Sequence, residues 1–470
     1  MAERHIVIVG GGFTGTALAI HLARKGEAGL TVTVIEPREQ LGQGVAYGTS
    51  DPAHRINVPA SRMQLSAAEE GEFEHWYRHS TAYQADPASR WQDGKLYPQR
   101  AQFGAYVAEQ FYKAASSGRV KLAHVQDRAV AFCDGDIVTA TGRRYQADEL
   151  VLAISHPPPA LPRLLQPLAD SPALIANPWR PQALASIAAE ERIAIIGSGL
   201  TMADVVASLA RQGHRGPITA FSRRGQLPRD NISGDYESRE LDYRQPPKTL
   251  RGWLHRVRQE VAQAAREGQP WQLVLDDIRY NGQRIWQRLA LKEQQRFLRH
   301  LRPWWDVHRY RIAPQVSQVL QAGQSSGQLQ VLAARLVAAE SKGAGIALRL
   351  KPRAAAETRL SVDRLIVTTG PAHGSLVTSD RLLSQLAEEG LLQADPLALG
   401  ILVDAQSRTI DSHGEANPHL HVVGPAARGR FGELMGLPQV AEHAEQLADQ
   451  LLMPEKNAKP ARCPLSTDLS

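Results

Sequence analysis

Cysteine is nearly missing: Cys133 and Cys463 are the only two in 470 residues, and they lie far apart. That scarcity excludes a disulfide scaffold, a Cys-x-x-Cys redox pair and a cysteine-rich zinc site. It suits a reducing compartment, so a cytoplasmic location is expected. Nothing approaches the roughly 18 consecutive apolar residues of a membrane span. The apolar run Ile6 to Val9 is too short for a signal-peptide core and runs into three glycines. A soluble protein with no membrane partner is expected. Charge of one sign is not in great excess either. With 54 Lys plus Arg against 48 Asp plus Glu, the net charge is +6, mild for this length. It attracts small anions such as phosphates without arguing for nucleic acid. The sixteen histidines are scattered. Only His419 and His421 alternate on a strand, so no metal site is expected. What remains is an ordinary globular balance, 43% hydrophobic and 22% charged, which excludes disorder as the main state. The length allows roughly three domains.

One pattern occurs twice. The first copy runs from His5-Ile-Val-Ile-Val into Gly10-Gly-Gly12-Phe-Thr-Gly15, then into a stretch with Ala17, Leu18, Leu22 and Ala23 at helical spacing, and then Thr31-Val-Thr-Val-Ile-Glu36. It reads as buried strand, glycine turn, helix and second strand ending in an acid. In such a turn the first glycine permits the sharp bend. The next lets the backbone approach a pyrophosphate, and the third lets helix pack close on strand. The diphosphate then lies at the helix N-terminus, where free N–H groups favour negative charge. Gly10, Gly12 and Gly15 satisfy all three positions. Glu36, 21 residues after Gly15, can accept hydrogen bonds from both ribose hydroxyls and would repel a 2′-phosphate. FAD or NAD fits this site, and NADP does not.

The second copy comes about 190 residues later: Arg192-Ile-Ala-Ile-Ile-Gly197-Ser-Gly199-Leu-Thr-Met202, a helical stretch, and a strand from Ile218 to Ser222. Met202 replaces the third glycine. The second strand ends Ser222-Arg223-Arg224 with no acid, and a hydroxyl with two guanidinium groups suits a 2′-phosphate. NADPH is favoured there, with NADH left open. Two such units suggest one tightly held redox cofactor and one diffusible hydride donor.

The expected fold class is α/β, with two Rossmann-like dinucleotide-binding domains, the FAD domain discontinuous. Residues 1–157 form its first part, with a helix near 100–115 and short antiparallel strands within 124–154. Residues 158–360 form the NAD(P) domain, with a helical insertion at about 228–320. Residues 361–452 complete the FAD domain, its late strands near 363–370 and 417–424 marking the return of the chain. Residues 453–470 read as a disordered tail. The insertion is rich in Arg, with Trp253, Trp271, Trp286, Trp304 and Trp305. Amphipathic helices packing the aromatic residues inward as core are expected over a nucleic-acid surface, making a lid or a subunit contact.

With these blocks in view, the chain resembles the two-dinucleotide-binding-domain flavoproteins. It is most similar to the bacterial FAD/NAD(P)-binding group carrying Gly42-Gln-Gly44-Val-Ala-Tyr47-Gly-Thr49 after the ribose acid. His54-Arg-Ile-Asn57-Val-Pro59, Met63-Gln64, Phe297 to Arg311, and Gly424 through Glu433 to Pro438-Gln439 carry the same likeness, over residues 4–452. The resemblance implies a flavin-dependent monooxygenase acting through a flavin C4a-hydroperoxide. Members with assigned chemistry include an FAD-dependent urate hydroxylase and an amino-acid N-hydroxylating enzyme. Conversion of urate to 5-hydroxyisourate is therefore the candidate reaction. Amino-acid N-hydroxylation and an NAD(P)H reductase serving another partner are the alternatives, and a non-catalytic FAD module is a further one. The expected partners are a small substrate and O2. By the resemblance Gly44 and Tyr47 line the flavin's path, Met63 and Gln64 lie near its ring, and Gly424 approaches its ribityl chain or near phosphate. The helix after Pro438 aims its N-terminus at the ring's pyrimidine edge. His54, Asn57 and Gln64 are the candidate substrate contacts, His54 as a proton carrier.

Overall fold

The computed structural model describes residues 3–154, 156–353 and 355–453. Residues 454–470 of the tail expected to be disordered, Cys463 included, lie outside them. Two sheets organise the chain. In the first, β1 (Arg4–Val9) pairs in parallel with β2 (Leu30–Ile35), and β2 with β3 (Lys121–Val125). A meander of β4 (Ala129–Cys133), β5 (Asp136–Thr139) and β6 (Arg144–Gln146) follows. The chain then enters β7 (Glu149–Leu152), parallel to β1 on its other side. The apolar runs of β1, β2 and β7 are buried, with helix Phe13–Lys25 packed on the sheet and the β4–β6 meander reaching β1. Helix Phe13–Lys25 is sequestered along its length to Ala23, between helix Arg100–Ser116 and the closing helix Gln439–Leu452.

The second sheet opens with β8 (Leu174–Ile175), β9 (Ile193–Ile196) and β10 (Ile218–Ser222). The crossover from β10 to its parallel neighbour β11 (Leu329–Lys342) contains the helical insertion. Helix Leu250–Arg266 starts at Thr249, whose hydroxyl accepts from the Gly252 N–H (3.2 Å). Helices Trp271–Tyr280, Gly282–Arg288, Leu291–Arg296 and Arg302–Arg309 follow. A π-helical turn, Phe297–Leu301, interrupts the last two. The final helix of the crossover, Pro314–Ser325, packs on helix Leu200–Arg211. It is the ordinary crossover helix of the nucleotide fold. Antiparallel β12 (Gly345–Pro352) and β13 (Thr358–Val362) extend the sheet beyond β11.

One expected boundary moves. The strand near 363–370 was assigned to the returning FAD domain. Instead β14 (Arg364–Val367) pairs with β9, Arg364 opposite Ile193, and with β8. The Asp363 carboxylate takes both the backbone N–H (2.7 Å) and the guanidinium of Arg192. The reason is architectural: β9 needs a partner on its far side to form the crevice, as β1 needs β7. The chain re-enters the first sheet only with β15 (Arg408–Ile410) and β16 (Ala416–Val422), and β16 pairs with β7. The first sheet thus runs β15-β16-β7-β1-β2-β3 and the second β13-β12-β11-β10-β9-β14-β8. Strand order reverses beside β1 and beside β9, where open α/β sheets bind ligands at their carboxyl ends. No helix among the described residues is long and apolar enough to cross a membrane.

Candidate active site

The two glycine turns are built alike. The Gly10 N–H donates to Ile35 O (2.9 Å) and the Gly197 N–H to Phe221 O (2.9 Å). Both glycines have positive φ, +106° and +115°. Each lies under the chain leaving the neighbouring strand. A Cβ on Gly10 would come 2.8 Å from Ala153 O, and one on Gly197 would come 2.6 Å from Thr368 O. Neither position admits a side chain.

The middle glycines serve a different purpose. Gly12 and Gly199 start their helices from extended backbone, with no side chain capping either. The first N–H groups of both helices therefore lack intrahelical acceptors. A Cβ on Gly12 would only touch Gly44 Cα at 3.5 Å, and one on Gly199 would meet open space. These are cradles that a side chain would fill, as a pyrophosphate site requires. Gly44, at φ +54°, brings bare backbone against Gly12 from the far side. Gly424, at φ +85°, abuts Thr14 in the first helical turn. Its N–H donates to His443 Nδ1 (3.1 Å), and His443 Nε2 hydrogen-bonds Ser407 Oγ (2.7 Å). Accepting at Nδ1 requires the neutral ring, and burial lowers His443 to about 4.

The third positions differ. A Cβ on Gly15 would sit 2.0 Å from Gly10 O. Its counterpart Met202 is fully buried in the second core.

The shared backbone register makes Ser222, not Arg223, the counterpart of Glu36. Glu36 is 4% exposed and accepts from the Gly11 N–H (2.8 Å) and from Arg38 (2.9 Å). Ser222 instead shares a hydrogen bond with Ser198 Oγ (2.8 Å) and accepts from the Gly225 N–H (2.9 Å). A hydroxyl stands where a carboxylate would repel a 2′-phosphate. Arg223 beside it is exposed. Arg224 is engaged elsewhere: it donates to His300 O (3.1 Å) and lies 5.4 Å from the Trp304 ring centroid.

Three expected flavin-side residues are core in whole or part. Met63 is buried in the first hydrophobic core. Tyr47 packs edge-on against Phe103 (4.9 Å between centroids) and near Phe13 (6.3 Å), and burial pushes its phenol up to about 12. Gln64 is buried, and no described residue hydrogen-bonds its amide.

His54 and Asn57 are not brought to Gln64. They belong to the joint between the two domains. His54 Nδ1 bonds Thr49 Oγ1 (2.7 Å) and Nε2 bonds Ser208 Oγ (3.0 Å). Burial holds this histidine below its usual range. With both nitrogens engaged it has no free site for carrying a substrate proton. Asn57 accepts from Arg100 through Oδ1 (3.4 Å) and from Asn231 through its backbone carbonyl (2.9 Å). At the centre, Arg100 grips Asp204 with both terminal nitrogens (2.8 and 3.0 Å), both residues being buried. Sequence reasoning missed this pair. An acid on the apolar face of the second helix, Ala203-Asp204-Val205, was the available signal.

The insertion docks on the segment before the closing helix. Arg309 ion-pairs with buried Glu433, and Trp286 Nε1 donates to Gly429 O (2.9 Å). Arg279 donates to Leu437 O and to Gln439 Oε1 (3.2 Å), fixing the start of that helix. The tryptophans do not close into solid core. Trp253 and Trp286 are buried, but all five border a cavity.

Comparison with known proteins agrees with this construction. Residues 7–157 match the FAD-NAD(P)-binding family model, and residues 91–234 match the model for L-lysine 6-monooxygenase/L-ornithine 5-monooxygenase. Fold, cradles and matches together define an FAD- and NAD(P)H-dependent oxidoreductase. Among solved structures, the ornithine hydroxylase of Pseudomonas aeruginosa is similar at a TM-score of 0.62 and 15% identity, over 96% of this chain and 99% of that one. L-lysine 6-monooxygenase from Pseudomonas syringae is similar at 0.61 and 16%, over 96% and 99%. A cadaverine monooxygenase of desferrioxamine biosynthesis from Erwinia amylovora, with FAD bound, is similar at 0.62 and 12%, over 99% of both chains. At such identities the likeness establishes the shared fold. No curated protein matches the chain by sequence. Urate hydroxylation, the first candidate reaction, gains nothing from these matches, and amine N-hydroxylation does.

Proposed function

We propose that the chain N-hydroxylates an amine or amino acid, consuming NADPH and O2. The match of residues 91–234 to the lysine and ornithine monooxygenase model carries this reading. FAD, when bound, accepts hydride from the nicotinamide and activates O2, so that one oxygen atom goes to the substrate and the other leaves as water. The protein's part is to bind, orient and exclude water.

Gly12, Gly44 and the free N–H groups of helix Phe13–Lys25 would cradle the FAD pyrophosphate, with Glu36 at the adenosine ribose. Gly424, held by neutral His443, would follow the chain toward the ring. Gly199 would admit the NADPH pyrophosphate, and Ser222 with Arg223 would receive its 2′-phosphate. Arg224 is the weaker candidate because His300 and Trp304 occupy it. Gln64 would turn its amide to flavin or substrate. His54 and Asn57 are left out of the chemistry and given the domain joint.

The test is NADPH oxidation by the FAD-loaded protein with amines, amino acids and urate, with O2 uptake, peroxide release and hydroxylamine formation followed together. Stimulation by an amine, with hydroxylamine formed and little peroxide, supports the proposal. Stimulation by urate alone, or turnover indifferent to every substrate, contradicts it.

A further inference from the structure

The helical insertion borders an open-sided cavity of about 660 Å3. Its walls carry five tryptophans and several leucines, with Val257 and Ile285 among the aliphatic groups. Its floor comes from the first-sheet domain, at Leu399, Arg428, Gly432, Glu433 and Met435. The π-helical turn contributes Phe297, Leu298 and Leu301. The volume falls within the range of small-molecule sites, and the lining is dominated by apolar groups.

The charges around it do not balance evenly. Glu433 is claimed by Arg309, with Arg279 at 3.8 Å. Asp306 faces Arg302 at 3.4 Å. Arg428 differs from these. It is 5% exposed, and its Nε is wholly inaccessible without a hydrogen-bond partner. No described residue accepts a hydrogen bond from any nitrogen of this guanidinium or pairs with it as an ion. Asp395, a nearby carboxylate, spends one oxygen on the Leu397 and Leu399 N–H groups (3.0 and 3.1 Å). Burial lowers Arg428 to about 10, which leaves it cationic at neutral pH. A buried cation with no partner is costly unless a ligand supplies one.

A short diamino acid does not suit this space, because its two lining carboxylates, Asp306 and Glu433, already face Arg302 and Arg309, and the apolar walls cannot solvate a second ammonium. A compound with a large apolar body and one carboxylate does suit it. The same walls favour an amine in its neutral form, the form with a lone pair to attack oxygen. We infer that the cavity holds the substrate, and that this substrate has an apolar, aromatic-sized body whose carboxylate pairs with Arg428. The inference rests on the proposed N-hydroxylation for the identity of the reacting nitrogen, but not for the binding.

Binding is therefore tested without turnover. FAD-loaded protein is titrated, in the absence of NADPH, with hydrocinnamate, with its uncharged amide and with L-ornithine, while tryptophan fluorescence is followed. Hydrocinnamate should change the signal saturably and bind at least about tenfold more tightly than the amide or ornithine, the advantage of a charge-assisted pair. Arg428→Met should erase the preference for the acid. Val257→Phe, which narrows the cavity and keeps the guanidinium, should weaken binding of acid and amide alike. No saturable signal, equal affinity for acid and amide, tighter binding of ornithine, or a preference that survives Arg428→Met would each overturn the inference. Amine-dependent NADPH oxidation is read separately, so either idea can fail alone.

Discussion

Gly12 and Gly15 stand three residues apart and meet opposite constraints. A side chain on Gly15 would strike the Gly10 carbonyl at 2.0 Å, so Gly15→Ala must displace backbone and should destabilise the domain. Gly12 has ordinary φ of −67°, and a Cβ there would only reach van der Waals contact with Gly44 Cα at 3.5 Å. Gly12→Val should therefore fold normally and yet lose FAD, seen as a colourless protein with wild-type circular dichroism. A yellow Gly12→Val protein would remove the cradle from the account. The second site makes a parallel demand. Arg223→Ala should raise the KM for NADPH by roughly ten- to a hundredfold and leave that for NADH nearly unchanged, since a charged hydrogen bond to phosphate is worth about 1.5–3 kcal/mol. Equal effects on both donors would remove Arg223 from 2′-phosphate recognition. Both glycine turns were legible in the sequence because backbone clearance is written directly as glycine. The Ser222 hydroxyl was legible too, but its alignment with Glu36 was not, since that depends on the register of β10 against β9.

At the scale of elements, the joint between the domains rests on Arg100 and Asp204. Buried ions bound face to face are costly to separate, and removing one leaves the other unpaired. Asp204→Asn should lower stability by about 3–5 kcal/mol, measured by denaturant unfolding. Pairing Asp204→Leu with Arg100→Leu should recover most of that loss. A double variant no more stable than Asp204→Asn would show that the joint does not depend on this pair. His54 and Asn57 have partners at this joint that the sequence does not display. They are polar residues in a flavin-side segment, and a linear reading cannot tell a substrate contact from a contact with Ser208 or Asn231 far along the chain. β14 was misassigned for a related reason. Buried parallel strands look alike in sequence, and only pairing decides whether Arg364–Val367 flanks β9 or β7.

The whole molecule carries several histidines that burial keeps neutral. His21 and His54 are lowered, and His156 and His443 fall to about 4. A histidine lowered in the fold binds its proton first in the unfolded chain. Its contribution is complete above the unfolded value near 6.5 and is lost as pH falls toward the folded value. Stability should therefore decline steadily from about pH 7 to about pH 4, by roughly 1.4 kcal/mol per proton bound for each pH step of one. Denaturant melts across that range check the direction. A midpoint that rises toward acid would contradict the burial of these rings.

The two-cradle architecture implies that nicotinamide bound at the second sheet reduces flavin bound at the first. The most direct test is to add NADPH to the purified, FAD-loaded protein in the absence of oxygen and watch the visible flavin band. The account predicts that the band bleaches without any substrate and returns when air is admitted. A protein that cannot be loaded with FAD, or whose yellow colour is indifferent to NADPH and NADH alike, would contradict it.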